Sequence, residues 1–153
     1  MADYFELEKL FVVATQREIE AYEFYAEAAR VTKDRNVKEI FQQLAQEERG
    51  HFELLERFRA NPADLITVSA PSSDWKIAES EEMPTLSTEM KPKDAIALAM
   101  KKEQQAVDFY RSLSSAATTS ETRFMFENLA NMELTHKHRL ENMYIDVGYP
   151  EVF

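Results

Sequence analysis

REIEAYEFY (Arg17–Tyr25) and FQQLAQEERGH (Phe41–His51) return 85 residues later as KEQQAVDFY (Lys102–Tyr110) and FENLANMELTH (Phe126–His136). The common offset makes the chain an internal repeat in which Glu18 maps to Glu103, Glu48 to Glu133 and His51 to His136. Each half therefore supplies one Glu and, 30 residues later, a Glu-x-x-His. Four carboxylates and two imidazoles in this order form the donor inventory of a two-metal centre inside a helical bundle.

Outward from these motifs, the apolar residues fall in helical phase. Tyr4, Leu7, Phe11, Ala14, Glu18, Ala21, Tyr25 and Ala28 alternate steps of three and four, with a carboxylate in mid-stripe. The second helix reads Val37, Phe41, Leu44, Glu48, His51, Leu55 and Phe58, the third Ile96, Ala99, Glu103, Ala106, Tyr110 and Leu113, and the fourth Phe126, Leu129, Glu133, His136, Leu140 and Met143. The six polar residues are expected to converge on one layer near mid-length. The helices are predicted at about Tyr4–Val31, Asp34–Ala60, Pro92–Ser114 and Ser120–Tyr144. Asn61-Pro62 ends the second, because proline breaks the hydrogen-bond ladder and restricts the residue before it. Pro92 suits the first turn of the third.

The fold class expected is all-α, a four-helix bundle of two αα hairpins forming a single domain over 1–153. The interval 61–91 joins the hairpins. It is rich in Ser, Thr, Pro, Asp and Glu and has no steady period. A helix of about 27 residues spans roughly 40 Å, a distance this connection can easily cover. Read as a crossover from one end of the bundle to the other, it makes the second and third helices parallel, and Trp75 is the candidate anchor. The competing reading is a flexible acidic linker.

Composition narrows the function. Two glycines and five prolines in 153 residues favour helix almost everywhere. A net charge of −10 argues against nucleic acid and favours a cationic ligand. Without cysteine there are no disulfides and no thiolate metal sites. MADYFELEKL lacks the basic and apolar regions of a secretory signal, and no run of 18 apolar residues occurs, so a soluble cytoplasmic protein without membrane partners is expected.

Four carboxylates in an apolar seam repel one another and lose hydration, and no Lys or Arg occupies a seam position to offset them. Two divalent cations match their charge, and the i, i+3 spacing lets Glu48 with His51, and Glu133 with His136, reach one site from adjacent turns. A single Glu-x-x-His is weak evidence; two in phase within a repeat are strong evidence. The structural alternative is a buried polar layer without metal. His138 leaves the seam and reads as a solvated surface residue, as do Glu20, Glu23 and Glu27. Glu47 is placed to orient an imidazole, although its repeat partner is Met132. Tyr25 and Tyr110 either fill core with their hydroxyls on buried polar groups or tune the site and relay protons and electrons.

The repeated Glu…Glu-x-x-His pattern, with E-x-x-A-x-x-F-Y in the first and third helices, resembles the ferritin-like di-iron superfamily and most closely the rubrerythrin group. The resemblance covers both hairpins and leaves the crossover and tail unmatched. It implies that Glu18, Glu48, His51, Glu103, Glu133 and His136 are iron ligands, two irons per chain, with Glu48 and Glu133 the natural bridges; the residues alone leave the bridging assignment open. Mn or Zn also suits such a donor set. Two departures stand out. Typical rubrerythrins have a further Glu where this chain has Ala106, which puts the family's iron movement and its preference for peroxide over dioxygen in doubt. They also append a cysteine-rich rubredoxin domain, so an external electron donor protein is expected here.

The resemblance implies a peroxide reductase or ferroxidase acting on hydrogen peroxide or dioxygen in oxidative-stress defence. An iron-storage subunit and a non-catalytic bundle are the alternatives. Phe5, Val12, Ile19 and Ala26 form a second apolar column on the first helix, requiring cover by a partner subunit or by the crossover, and a homodimer is expected. The aromatic tail YIDVGYPEVF is expected to dock at a bundle end or on that partner.

Overall fold

The computed structural model describes residues 2–61 and 69–148. Five helices account for its regular structure: α1 (Ala2–Val31), α2 (Arg35–Ala60), α3 (Ile77–Ser80), α4 (Pro92–Ala116) and α5 (Ser120–Gly148). Local chemistry sets their ends. The Asp34 side chain caps α2 by accepting from the backbone N–H groups of Asn36 (2.9 Å) and Val37 (3.1 Å). Pro92 opens α4, where its missing N–H costs nothing. At the other end of α2 the Asn61 N–H closes on the Arg57 carbonyl at 2.8 Å.

α1 pairs with α2 and α4 with α5 as antiparallel hairpins. The connection between them crosses the whole bundle. It leaves α2 where Arg59 bonds Glu8 near the start of α1, and it arrives where the Lys33 N–H in the α1–α2 turn donates to the Thr88 carbonyl at 3.2 Å. Lys33 also pairs with Glu89 at 2.6 Å. α2 and α4 thus start at the same end and run parallel.

Every described seam position of α2 and α4 is buried, as are Phe11, Ala14, Glu18, Ala21, Tyr25 and Ala28 of α1. The core is divided in two. One cluster gathers Tyr25, Phe41, Leu44, Ile96, Met100 and Leu140; the other gathers Phe11, Leu55, Phe58, Tyr110, Phe126 and Leu129. Repeat-related rings pack alike, Tyr25 on Phe41 at 6.1 Å and Tyr110 on Phe126 at 6.3 Å. The six Glu and His residues of the motifs lie between the clusters.

The crossover is more structured than its composition suggests. α3 forms one turn on α4 and α5, held by a cation that periodicity does not reveal. Lys137, with 0% of its side chain exposed, reaches Asp74 at 2.6 Å, Glu79 at 2.8 Å and Glu141 at 3.7 Å. Glu141 in turn accepts from the Ala78 N–H at 2.8 Å. Trp75 does anchor the crossover, donating Nε1–H to Asn142 at 2.9 Å, yet it stays half-exposed. Its ring stacks on His138 at 5.8 Å. His138 is therefore partly covered rather than solvated, because the crossover folds back over its face of α5.

Among the described residues the crossover leaves Val12 of the outer column 59% exposed, while Ile19 and Ala26 are half-buried. α5 runs past the expected Tyr144 to Gly148, so the first residues of the tail are helical. The rest of the tail, the seam positions Tyr4 and Leu7, and Phe5 of the outer column lie outside the residues whose side chains are described. Among the described residues no helix is long and apolar enough to cross a membrane.

Candidate metal centre

Each hairpin contributes three donor residues, α1 Glu18, α2 Glu48 and His51, α4 Glu103, and α5 Glu133 and His136. The structure brings all six together. Glu18, Glu48, His51 and Glu133 form one group, and Glu48, Glu103, Glu133 and His136 form another, with one ligand atom per residue lying within 4.8 Å of the others in each group. Glu48 and Glu133 belong to both. The two imidazoles stack nearly parallel, centroids 5.2 Å apart at 6°. Both turn Nδ1 toward the carboxylates: His51 Nδ1 lies 2.6 Å from Glu133 and 3.7 Å from Glu18, and His136 Nδ1 lies 3.9 Å from Glu103.

Surrounding residues hold these donors in place. Tyr25 on α1 donates its hydroxyl to Glu103 on α4 at 3.3 Å, and Tyr110 on α4 donates to Glu18 on α1. Glu47 faces the outer nitrogen of His136, Nε2, at 3.4 Å and is itself gripped by Arg139 at 2.8 Å. The residue beside the α2 donor therefore supports the imidazole of α5 rather than its own helix's His51. The repeat partner, Met132, cannot do the same for His51.

The electrostatics are those of a layer lacking a counter-charge. Burial, reinforced by the charge on Glu133, holds Glu48 and Glu103 well above the usual carboxylate range. Burial pulls the His51 imidazole down, but Glu133 and Glu18 outweigh it and raise it to about 10. Burial also acts upward on Glu133, where the charge on His51 and the neighbouring Glu103 and His136 together bring the carboxyl down to about 2. Burial lowers His136 and keeps it neutral. Both tyrosine hydroxyls are pushed well up by burial and the adjacent carboxylates, and so remain donors. Arg17, beside the seam, also feels the layer. Burial lowers its pKa, but Glu48, Glu133 and Glu18 more than compensate.

The donor set fits metal. Each of the six residues leaves at least one buried nitrogen or oxygen without a hydrogen bond: Glu18 Oε2, Glu48 Oε1, His51 Nδ1, Glu103 Oε2, both oxygens of Glu133 and His136 Nδ1. Buried polar atoms are rarely left unpaired. His51 Nδ1 and Glu133 Oε1 are close but not aligned as a hydrogen bond, the relation expected of two ligands aimed at a common cation. Oxygen-rich ligation with imidazole suits first-row divalent ions.

Residues 3–59 and 75–152 match the family model described as Rubrerythrin. The chain belongs to the rubrerythrin family. The match extends beyond the hairpins to the second half of the crossover and most of the tail, further than the motifs indicate. That half of the crossover carries Trp75 and α3, the parts clasped to α5. A solved structure of a hypothetical protein from Pyrococcus furiosus is similar over 100% of this chain and 96% of that one, at 31% identity and a TM-score of 0.61. A comparison with curated proteins gives no match. As a rubrerythrin-family member the chain is a ferritin-like helical bundle, and its buried Glu/His cluster is one that can hold metal.

Proposed function

We propose that the protein is a di-iron oxidoreductase, with paired Fe(II) ions bound by Glu18, Glu48, His51, Glu103, Glu133 and His136 and oxidised by hydrogen peroxide or dioxygen. The observation that carries this reading is the overlap of the two four-residue groups in Glu48 and Glu133. One cation would be held by Glu18 and His51, the other by Glu103 and His136, with Glu48 and Glu133 within reach of both. Two divalent ions offset four carboxylates. When bound, the pair supplies two electrons, one from each ion, for reduction of an oxygen–oxygen bond.

The chain's own residues support that chemistry. Tyr25 and Tyr110 fix the terminal carboxylates, and Glu47 with Arg139 keeps His136 Nε2 outward so that Nδ1 faces the layer. The apolar clusters above and below close the layer at both ends and leave its approach on the α1–α4 side. Ala106 is buried at the position of the further glutamate of typical rubrerythrins, so the donor set is symmetric between the halves. Mn(II) and Zn(II) suit the same donors. The reading includes an external donor protein as the source of electrons.

The test is stopped-flow oxidation of protein loaded anaerobically with Fe(II). One peroxide consumed per iron pair, faster than free Fe(II) reacts in buffer, is the expected result; oxidation no faster than in buffer contradicts the reading. The reading includes a cytoplasmic homodimer, supported by the exposed Val12, Val13 and Tyr22 of α1 and checked by light scattering.

A further inference from the structure

A cavity of about 490 Å³ opens between α1 and α4, with Glu48 and Glu103 of the donor layer at its inner end. Its lining includes Phe24 and Phe109, two cations, Arg17 and Lys102, and the exposed carboxylate Glu20. Lys102 Nζ lies 4.5 Å from the centroid of the Phe24 ring, and the Arg17 guanidinium carbon lies 5.9 Å from that of Phe109. The 85-residue offset relates Arg17 to Lys102 and Phe24 to Phe109. Because α1 and α4 run antiparallel, each half lays its cation on the other half's ring.

Contact with a ring face orients a cation without neutralising it. Among the described residues neither Arg17 nor Lys102 forms an ion pair, on a chain with 28 acidic residues. In the metal-free protein the carboxylates of the layer partly offset these two charges. Loading the layer with two divalent ions cancels its carboxylates and leaves the cavity with two cations against a single remaining carboxylate, Glu20, beside two aromatic walls. The volume is more than ten times the roughly 30 Å³ share of a water molecule, so the cavity is oversized for a diatomic or peroxide molecule alone.

We propose that the α1–α4 cavity is a binding site for a small organic anion, its carboxylate between Arg17 and Lys102 and its apolar body against Phe24 and Phe109, facing Glu48 and Glu103. Neutral and cationic analogues of the same shape bind less well. The anion and the metal pair favour each other's binding by the same factor, since each relieves the charge the other leaves. This coupling rests on the reading of the layer as a two-metal site; the anion site itself does not.

The experiment is calorimetric titration of octanoate, with octan-1-ol as the neutral control, into Zn(II)-loaded and metal-free protein. Zn(II) keeps redox chemistry out of the readout, and metal per chain is counted in every sample. Octanoate is expected to bind the loaded protein at least about tenfold more tightly than octan-1-ol, and more tightly than it binds the metal-free protein. The R17Q/K102Q variant loses that preference with its Zn(II) content unchanged, whereas R17K/K102R, which keeps both charges, retains it. Equal binding of octan-1-ol, no binding of octanoate, or wild-type octanoate affinity in R17Q/K102Q overturns the proposal. If Zn(II) fails to bind as a pair, the metal reading falls separately, and the effect of R17Q/K102Q on metal-free protein still decides the anion site.

Discussion

The Tyr25 hydroxyl on α1 donates to Glu103 on α4 at 3.3 Å, and the repeat-related Tyr110 donates back to Glu18. Each half of the repeat thus steadies the single glutamate of the other, and neither hairpin holds a complete set of supports alone. Replacing either tyrosine by phenylalanine removes that support but no proposed ligand. Tyr25→Phe and Tyr110→Phe are each expected to keep two metals per chain while weakening affinity by about tenfold, as read by competition with a chelator of known affinity.

The shared carboxylates differ in what their loss does to the metal-free fold. Glu48 is held protonated by burial and its neighbours, whereas Glu133 is ionised and faces charged His51. Glu48→Ala and Glu133→Ala should both abolish paired metal binding and leave a folded bundle. Denaturant unfolding of metal-free protein should separate them. Glu48→Ala removes a neutral carboxyl and falls within about 1 kcal/mol of the wild type, while Glu133→Ala strands the His51 charge and costs about 3 kcal/mol. Equal effects of the two would contradict the assigned charge states.

Metal uptake should release protons. Glu48 and Glu103 have raised carboxyl pKa values and His51 is raised to about 10, so the metal-free layer carries protons at neutral pH that ligation displaces. Affinity for Zn(II) is therefore expected to rise with pH between 6 and 8, and calorimetry in buffers of different ionisation enthalpy should count the protons. A flat profile with no proton release would mean that the donors are already deprotonated.

Lys137 supports the crossover from inside. Lys137→Met leaves the fully buried Glu141 without its cation and is expected to cost about 3 kcal/mol. Faster hydrogen exchange over 75–90 and altered Trp75 fluorescence should report the loosened segment. Burial acts upward on the Asp74 carboxyl, but hydrogen bonds from Lys137 and the Lys76 N–H outweigh it and hold its pKa below the usual 3.8. A depressed folded value means that this contribution is complete above the unfolded pKa and is lost as pH falls through the folded one. The Trp75 signal should therefore be constant from neutral pH to about 5 and change below about 4.

Much of the fold was legible because seam phase is a local property. Phe11 to Ala28 on α1 and Val37 to Phe58 on α2 alternate steps of three and four, and a helix cannot bury such a stripe except against other helices. The convergence of Glu18, Glu48, His51, Glu103, Glu133 and His136 followed from the repeat, since equal offsets place equivalent residues at equal depth. Contacts between elements were not legible. Lys137 follows a proposed ligand and lies off the seam, and its burial depends on the path of a crossover that has no period. His138 is covered for the same reason. Glu47 was recognisable as a neighbour of the site, but its imidazole belongs to α5, a pairing that adjacency along α2 does not reveal. Arg17 and Lys102 open the two repeated motifs, yet only the antiparallel approach of α1 and α4 sets them over Phe109 and Phe24.

The central claim is that the six residues hold two metal ions per chain. Anaerobic titration of the metal-free protein with Fe(II), counting tightly bound ions, tests it most directly. The account predicts saturation at two per chain in the wild type and loss of the pair in Glu48→Ala. Saturation at one or none, or two tight ions retained in Glu48→Ala, would contradict it.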